Sequence, residues 1–123
     1  MTVSWEEAFG PLHSTAEAAS ILGVSVEELT EMAHKNEALK LEDGQFPGWQ
    51  FDPEQHRVYP AIVAIMDIFY ERDLVAIDVA SFCVSPSPDL DEHRLIVPLD
   101  LFPEGAVPEI ATAARRTAAR LTD

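Results

Sequence analysis

Apolar residues recur along the chain at two periods, and the switch between them marks its organisation. Ala16, Ala19 and Leu22 fall three apart, on one narrow stripe of a helix. Val26, Leu29 and Ala33, with Met32 beside them, form a second stripe. Each is preceded by a start signal. Ser14-Thr15-Ala16-Glu17 and Ser25-Val26-Glu27-Glu28 both set a Glu three residues after a Ser, the spacing of a capping box. Between them Leu22-Gly23-Val24-Ser25 leaves room only for a short turn, and Gly23 supplies the left-handed residue that closes the first helix. Two short helices joined this way predict a helix-turn-helix.

From Ala38 to Tyr59 the period changes. Leu39, Leu41, Phe46, Trp49, Phe51 and Val58 are interleaved with polar residues and turn formers. Glu42-Asp43-Gly44 and Asp52-Pro53-Glu54-Gln55 are turn signals. The pattern predicts an antiparallel wing of two or three strands, with Trp49 and Phe51 on one strand face. Helical spacing returns at Pro60, which suits the first helical position. Ile62, Ile65, Met66 and Phe69 make the main stripe of a helix running to about Arg72, and Val63, Ile68 and Tyr70 widen it. Such a broad apolar face places this helix at the centre. Asp73 is positioned to cap a further helix, Leu74 to Val84, although Val75, Ile77 and Val79 also fit the alternation of a strand. Its length favours the helix. Ser85-Pro86-Ser87-Pro88 reads as a stiff turn, Asp89 to His93 as an exposed acidic stretch, and Leu95 to Phe102 as an apolar connector or short helix broken at Pro98. Val107, Ile110, Ala114, Ala118 and Leu121 define a last helix. Its final turns carry Arg115, Arg116 and Arg120, where cations suit the helix dipole.

The expected fold is mainly α with a small antiparallel β wing: a helix-turn-helix of winged or MerR-like type followed by a C-terminal helical region. Three parts follow. Residues 1–13 form an N-terminal arm, either a short docking helix or a loose segment, with any helix ending near Gly10 ahead of Pro11. Residues 14–59 hold the helix-turn-helix and its wing. Residues 60–123 form a helical, partner-binding region. Trp49, Phe51, Phe69 and Phe82 are the expected structural anchors, and Cys83 a small core residue.

Composition narrows the function. The 123 residues are 47% hydrophobic, which is enough for a core, but eight Lys and Arg oppose 22 Asp and Glu for a formal charge of −14. That sign argues against broad binding to nucleic acid or to anionic membranes. The longest apolar run, Ala61 to Met66, is far short of the roughly 20 residues that cross a bilayer. The first residues lack the basic and apolar regions of a signal peptide, so a cytoplasmic protein is expected. A single cysteine excludes an internal disulfide and a Cys-based zinc cage. His13, His34, His56 and His93 are scattered, without metal-ligand spacing. No phosphate loop or nucleophile–base pattern is present. The reading is a non-enzyme with no cofactor and no metal.

Two constellations remain. The outward residues of the second helix, Glu27, Glu28, Glu31, His34 and Lys35, are where a helix-turn-helix would meet DNA. Three carboxylates against one amine fit a phosphate wall poorly, so DNA is a disfavoured partner. Arg115, Arg116 and Arg120, with Leu121, are the only basic concentration and the expected contact for a protein partner. Deleting Arg115 to Asp123 is expected to remove that contact and leave the fold cooperative.

The order of these segments resembles the Xre/MbcA/ParS-type antitoxins, which carry a helix-turn-helix followed by a toxin-binding region. Residues 14–51, from Ser14-Thr15-Ala16-Glu17 through Leu22-Gly23-Val24-Ser25 to Phe46-Pro47-Gly48-Trp49-Gln50-Phe51, resemble the family pattern AAxLLGVS … FPxWQF. Tyr59-Pro60-Ala61-Ile62 resembles its central helix start, Ser81 to Leu90 its WLxxPNPxL, and Pro98-Leu99-Asp100-Leu101-Phe102 its TPLDLL. Phe82 stands where that pattern has Trp, and Ser87 where it has Asn. The resemblance implies an antitoxin that blocks a RES-type, NAD⁺-consuming toxin. The NAD⁺ would belong to the toxin, and the C-terminal helix with its arginines would be the blocking surface. A homo-oligomer built through the apolar helices is also expected. Two readings of other classes stand beside it: a DNA-binding transcriptional regulator, and an acidic protein-interaction module.

Overall fold

The computed structural model describes residues 5–123; Met1 to Ser4 lie outside the described residues. The chain is mainly helical, with two small antiparallel sheets. Its elements run α1 (Trp5–Phe9), β1 (Leu12–His13), α2 (Thr15–Leu22), α3 (Val26–His34), β2 (Phe46–Pro47), β3 (Phe51–Asp52), β4 (Arg57–Val58), α4 (Pro60–Glu71), α5 (Ala76–Val84) and α6 (Val107–Thr122).

Local chemistry sets the first helix pair. Ser14 and Ser25 close capping boxes with Glu17 and Glu28: each Ser hydroxyl accepts from the Glu amide, and each Glu carboxylate accepts from the Ser amide. Gly23 takes the left-handed conformation (φ 72°) and ends α2, and the Val24 amide donates to the Ala19 carbonyl at 3.0 Å. The buried stripe of α2 is Ala18, Ala19 and Leu22. Ala16, expected in it, is exposed. On α3 only Leu29 is fully buried; Val26, at the first helical position, is 44% exposed.

The core is built around α4, as its wide apolar face requires. Ile62, Ile65, Met66 and Phe69 are all buried, and α4 packs most extensively on α6, then on α5. On α6 the facing residues are Ile110, Ala113, Ala114 and Ala118, all fully buried. Small side chains allow the two backbones a close approach. Phe69 meets Phe82 of α5 with ring centroids 5.5 Å apart, a tilted aromatic pair. Cys83 is buried beside them, and burial pushes its thiol pKa up. The segment 115–123 is therefore not separable from the fold, since Ala118 lies in the α4–α6 seam.

Four other expectations are corrected. Of the expected arm, residues 1–13, the described part is not separate: its short helix does end ahead of Gly10, but Leu12 and His13 of β1 pair antiparallel with Pro47 and Phe46 of β2, and Phe9 is buried. Trp49 and Phe51 do not share a strand face. Gly48–Gln50 is a 3₁₀ turn, and only Phe51 belongs to a strand. Asp73 does not cap α5; it takes a left-handed conformation (φ 60°) after α4, and Asp78 instead reaches back to the Val75 amide at 3.0 Å. Pro98 does not break the connector. It opens the 3₁₀ segment Pro98–Glu104, where a residue without an N–H and with fixed φ is favoured.

The wing proper is the β3–β4 hairpin, in which Phe51 faces Val58 and Asp52 faces Arg57. The Asp52 carboxylate accepts from the amides of Glu54 (2.9 Å) and Gln55 (3.3 Å), an Asx turn that shapes its tip. His56 Nδ1 lies 3.1 Å from the Ile21 carbonyl and ties the hairpin to α2.

Candidate functional site

The exposed side chains of the α2–turn–α3 unit and of the β3–β4 hairpin can be read for charge residue by residue. Glu27, Glu28, Glu31, His34 and Lys35 are all exposed, as expected. Glu37 joins them. With Met32 as a half-buried floor, Glu27, Glu28, Glu31, Lys35 and Glu37 line a depression of about 390 Å³. Lys35 Nζ is 3.4 Å from Glu31 Oε1, so that cation already has an anion one helical turn away. On the hairpin, Arg57 Nε lies 3.9 Å from Asp52 Oδ2, and Glu54 is exposed at the tip. No continuous cationic strip accompanies α3 among the described residues.

The C-terminal quartet is divided by helix geometry. A step of 100° per residue sends Arg115 to one flank of α6 and Arg116 to the other. Arg115 shares a cleft with Ile68, Glu71 and Arg72 at the end of α4. Arg72 is a cation that sequence reading did not connect with this helix. Its Nη1 donates to Thr122 Oγ1 at 2.8 Å and lies 3.7 Å from Asp123 Oδ1, which clasps the chain end to α4. On the opposite flank Arg120 Nη1 meets Asp89 Oδ2 at 2.6 Å, and the Thr117 hydroxyl donates to the same oxygen at 3.0 Å. Arg116 lies four residues before Arg120 and is exposed, and Leu121 is 58% exposed.

Among the four expected anchors, Phe51, Phe69 and Phe82 are buried, whereas Trp49 is half-buried. Trp49 pins the N-terminal segment rather than the central helix: its indole N–H donates to the Phe9 carbonyl, and its ring lies 6.3 Å from Phe102. Tyr59 makes a second tilted ring contact with Phe102, centroids 5.8 Å apart. Sequence reading also passed over Gln50. Fully buried, it accepts from the Leu39 amide at 2.7 Å and donates to the carbonyls of Leu39 (2.8 Å) and Pro47 (3.1 Å). A buried amide paired with backbone on three sides holds the loop before β2 in place behind α3.

Tyr70 lies beside α3 in a pocket of about 300 Å³ shared with His34, Asn36 and Lys40, and burial, then nearby Glu42, pushes its hydroxyl pKa up to about 12. Its hydroxyl is neutral at physiological pH. Among the described residues no group of three or more His, Cys, Asp or Glu side chains is arranged to hold a metal ion, and no helix is long and apolar enough to cross a membrane.

No family model and no curated protein matches the chain. A solved structure does: the NMR structure of Rv2175c superposes with a TM-score of 0.71 at 18% sequence identity, covering 88% of this chain and 81% of that one. At that identity the likeness is one of fold.

Proposed function

We propose that this chain is a non-catalytic, antitoxin-type protein of the cytoplasm. It binds and neutralises a protein toxin through its C-terminal half, while the helix-turn-helix serves as a frame. The observation that carries this reading is the sign of the exposed α3 face: Glu27, Glu28, Glu31 and Glu37 stand where phosphates would lie, against one lysine that Glu31 already engages. Carboxylates set against a phosphate lattice oppose binding at the contact itself, where salt screens least. The exposed Arg116 and Leu121 on α6 offer a protein partner both charge and apolar area. The resemblance to the Xre/MbcA/ParS-type antitoxins supports a RES-type, NAD⁺-consuming toxin as that partner.

A second reading, a DNA-binding regulator, is favoured by one feature: the helix pair is doubly capped and the hairpin is fastened beside it through His56. Two titrations separate them. In one, the purified chain is mixed with a RES-type, NAD⁺-consuming protein; a stoichiometric complex that halts NAD⁺ consumption is expected. In the other, promoter DNA is titrated across salt concentrations. Tight, sequence-selective binding with a steep salt slope would overturn the first reading in favour of the second.

A further inference from the structure

The pocket of about 300 Å³ between the end of α3 and the end of α4 is lined by His34, Asn36, Lys40 and Tyr70, with the small residues Ala33 and Ala38 leaving it room. Thr30 completes the wall and spends its hydroxyl on the Val26 carbonyl at 2.8 Å. The other four polar side chains have no hydrogen bond or ion pair among the described residues. Each can donate: an ammonium, an amide, a phenol, and an imidazole that carries at least one N–H in every tautomer. Burial, then nearby Glu42, keeps the Tyr70 hydroxyl protonated and so a donor.

The sign of this wall is opposite to that of the chain. Eight Lys and Arg stand against 22 Asp and Glu, and the clefts on the outer face of α3, between α4 and α6, and beside the hairpin each hold a carboxylate, among them Glu31, Glu71 and Glu54. No carboxylate lines the pocket at Tyr70. Its nearest acidic neighbour is engaged elsewhere: Glu42 Oε1 accepts from the Ile77 amide of α5 at 3.2 Å. The negative end of α3 is also covered, since the carbonyls of Glu31, Met32 and Ala33 accept from the amides of Lys35, Glu37 and Asn36.

We infer that this pocket is a small-molecule site for a phosphate group, with Lys40 supplying the charge and His34, Asn36 and Tyr70 further donors. Four donor groups exceed what the two oxygens of a carboxylate use in one place, and match the three terminal oxygens of a phosphate. The volume lies at the lower bound of small-molecule pockets, roughly 300 Å³, so a phosphate ester of a short polyol fits as well as free phosphate. The rest of the surface repels anions, which makes saturable binding diagnostic of a built site.

Inorganic phosphate, glycerol phosphate, glycerol and acetate are titrated in turn into the full chain and followed by NMR. Saturating shifts at His34, Asn36, Lys40 and Tyr70 are expected with the two phosphates only. Tighter binding of the ester assigns a phosphorylated small molecule, and equal binding assigns free phosphate; both carry the inference. Lys40→Gln should weaken binding about tenfold or more, the loss of a charged donor, and Tyr70→Phe about fivefold. Neither removes a partner within the chain, so both should melt with the parent; Lys40, the exposed one, keeps the test open if Tyr70→Phe is unstable. Shifts that never saturate or lie outside the pocket, affinity unchanged in Lys40→Gln, or equal binding of acetate or glycerol would each overturn the inference. It does not rest on the protein-binding reading: a chain that captures its toxin yet takes no phosphate keeps that reading and loses this one.

Discussion

The Trp49 indole N–H donates to the Phe9 carbonyl at 2.6 Å, a bond spanning 40 positions that fastens the N-terminal segment to the turn before the wing. Trp49→Phe keeps an aromatic ring against Phe102 but leaves the Phe9 carbonyl without its donor. We expect a loss of about 1–2 kcal/mol. It would be read as a lower urea midpoint at an unchanged m-value.

Gln50 is the stronger test of how the loop behind α3 is held. Gln50→Leu has a similar bulk but strands the Leu39 amide and carbonyl where no water reaches. Two unpaired backbone groups should cost on the order of 2 kcal/mol or more, above the Trp49→Phe loss of a single partner. Chemical denaturation of both variants under one condition checks the ranking.

These two residues also show what was legible in the sequence. The caps of α2 and α3 and the stripe of α4 were, because they are local: Ser14, Ser25, Gly23 and Pro60 act on neighbours within a turn of chain. The β1–β2 pairing was not, since two-residue strands carry no periodicity and their partners lie far apart in sequence. Gln50 gave no signal because a lone amide usually faces water, and only the backbone groups around it reveal its role. The division of Arg115 from Arg116 was available from helix geometry, but adjacency in the chain made them look like one cluster. For the candidate site, residue identities were legible and their surroundings were not. The Asp89 partner of Arg120 arrives from a connector with no regular structure, and no pattern foretells that contact.

Acid stability should depend on the α2 cap. Bonds from the Ser14 amide and then the Ser14 hydroxyl hold the Glu17 carboxyl below its ordinary value of 4.5, with a smaller contribution from His13. A depressed folded value means the cap stabilises fully above the unfolded value and is lost as pH falls through the folded one. Glu17→Gln keeps an acceptor but no titrating group. Melting temperatures taken at about pH 7 and about pH 3 should therefore differ less in Glu17→Gln than in the parent chain. An equal acid drop in both would place the sensitivity elsewhere.

Helix α6 should separate structural from contact residues. Removing residues 115–123 takes Ala118 out of the α4–α6 seam and Thr122 from its bond with Arg72. The truncated chain should lose cooperative unfolding, seen as a broad thermal transition by circular dichroism. Arg116→Glu with Leu121→Ser touches only exposed side chains, so its stability should stay within about 0.5 kcal/mol of the parent. Toxin binding should nonetheless weaken in the double variant. Unchanged protection would move the interface off this flank.

The sign of the α3 face can be inverted while its N-terminal cap is kept. Glu28 is left in place because its carboxylate closes the cap on Ser25. Glu27→Lys, Glu31→Lys and Glu37→Lys together replace three anions with three cations on exposed positions. If charge alone keeps this frame from duplex DNA, the triple variant should acquire non-specific binding that the parent lacks. Its logarithmic affinity should fall with logarithmic salt at a slope of about −2 to −3, the value for three phosphate contacts. Fluorescence anisotropy with a labelled duplex, at salt from about 50 to about 200 mM, measures both chains side by side. A parent chain that already shows such a slope would mean its carboxylates do not face the phosphates, and the argument from sign would fall with it.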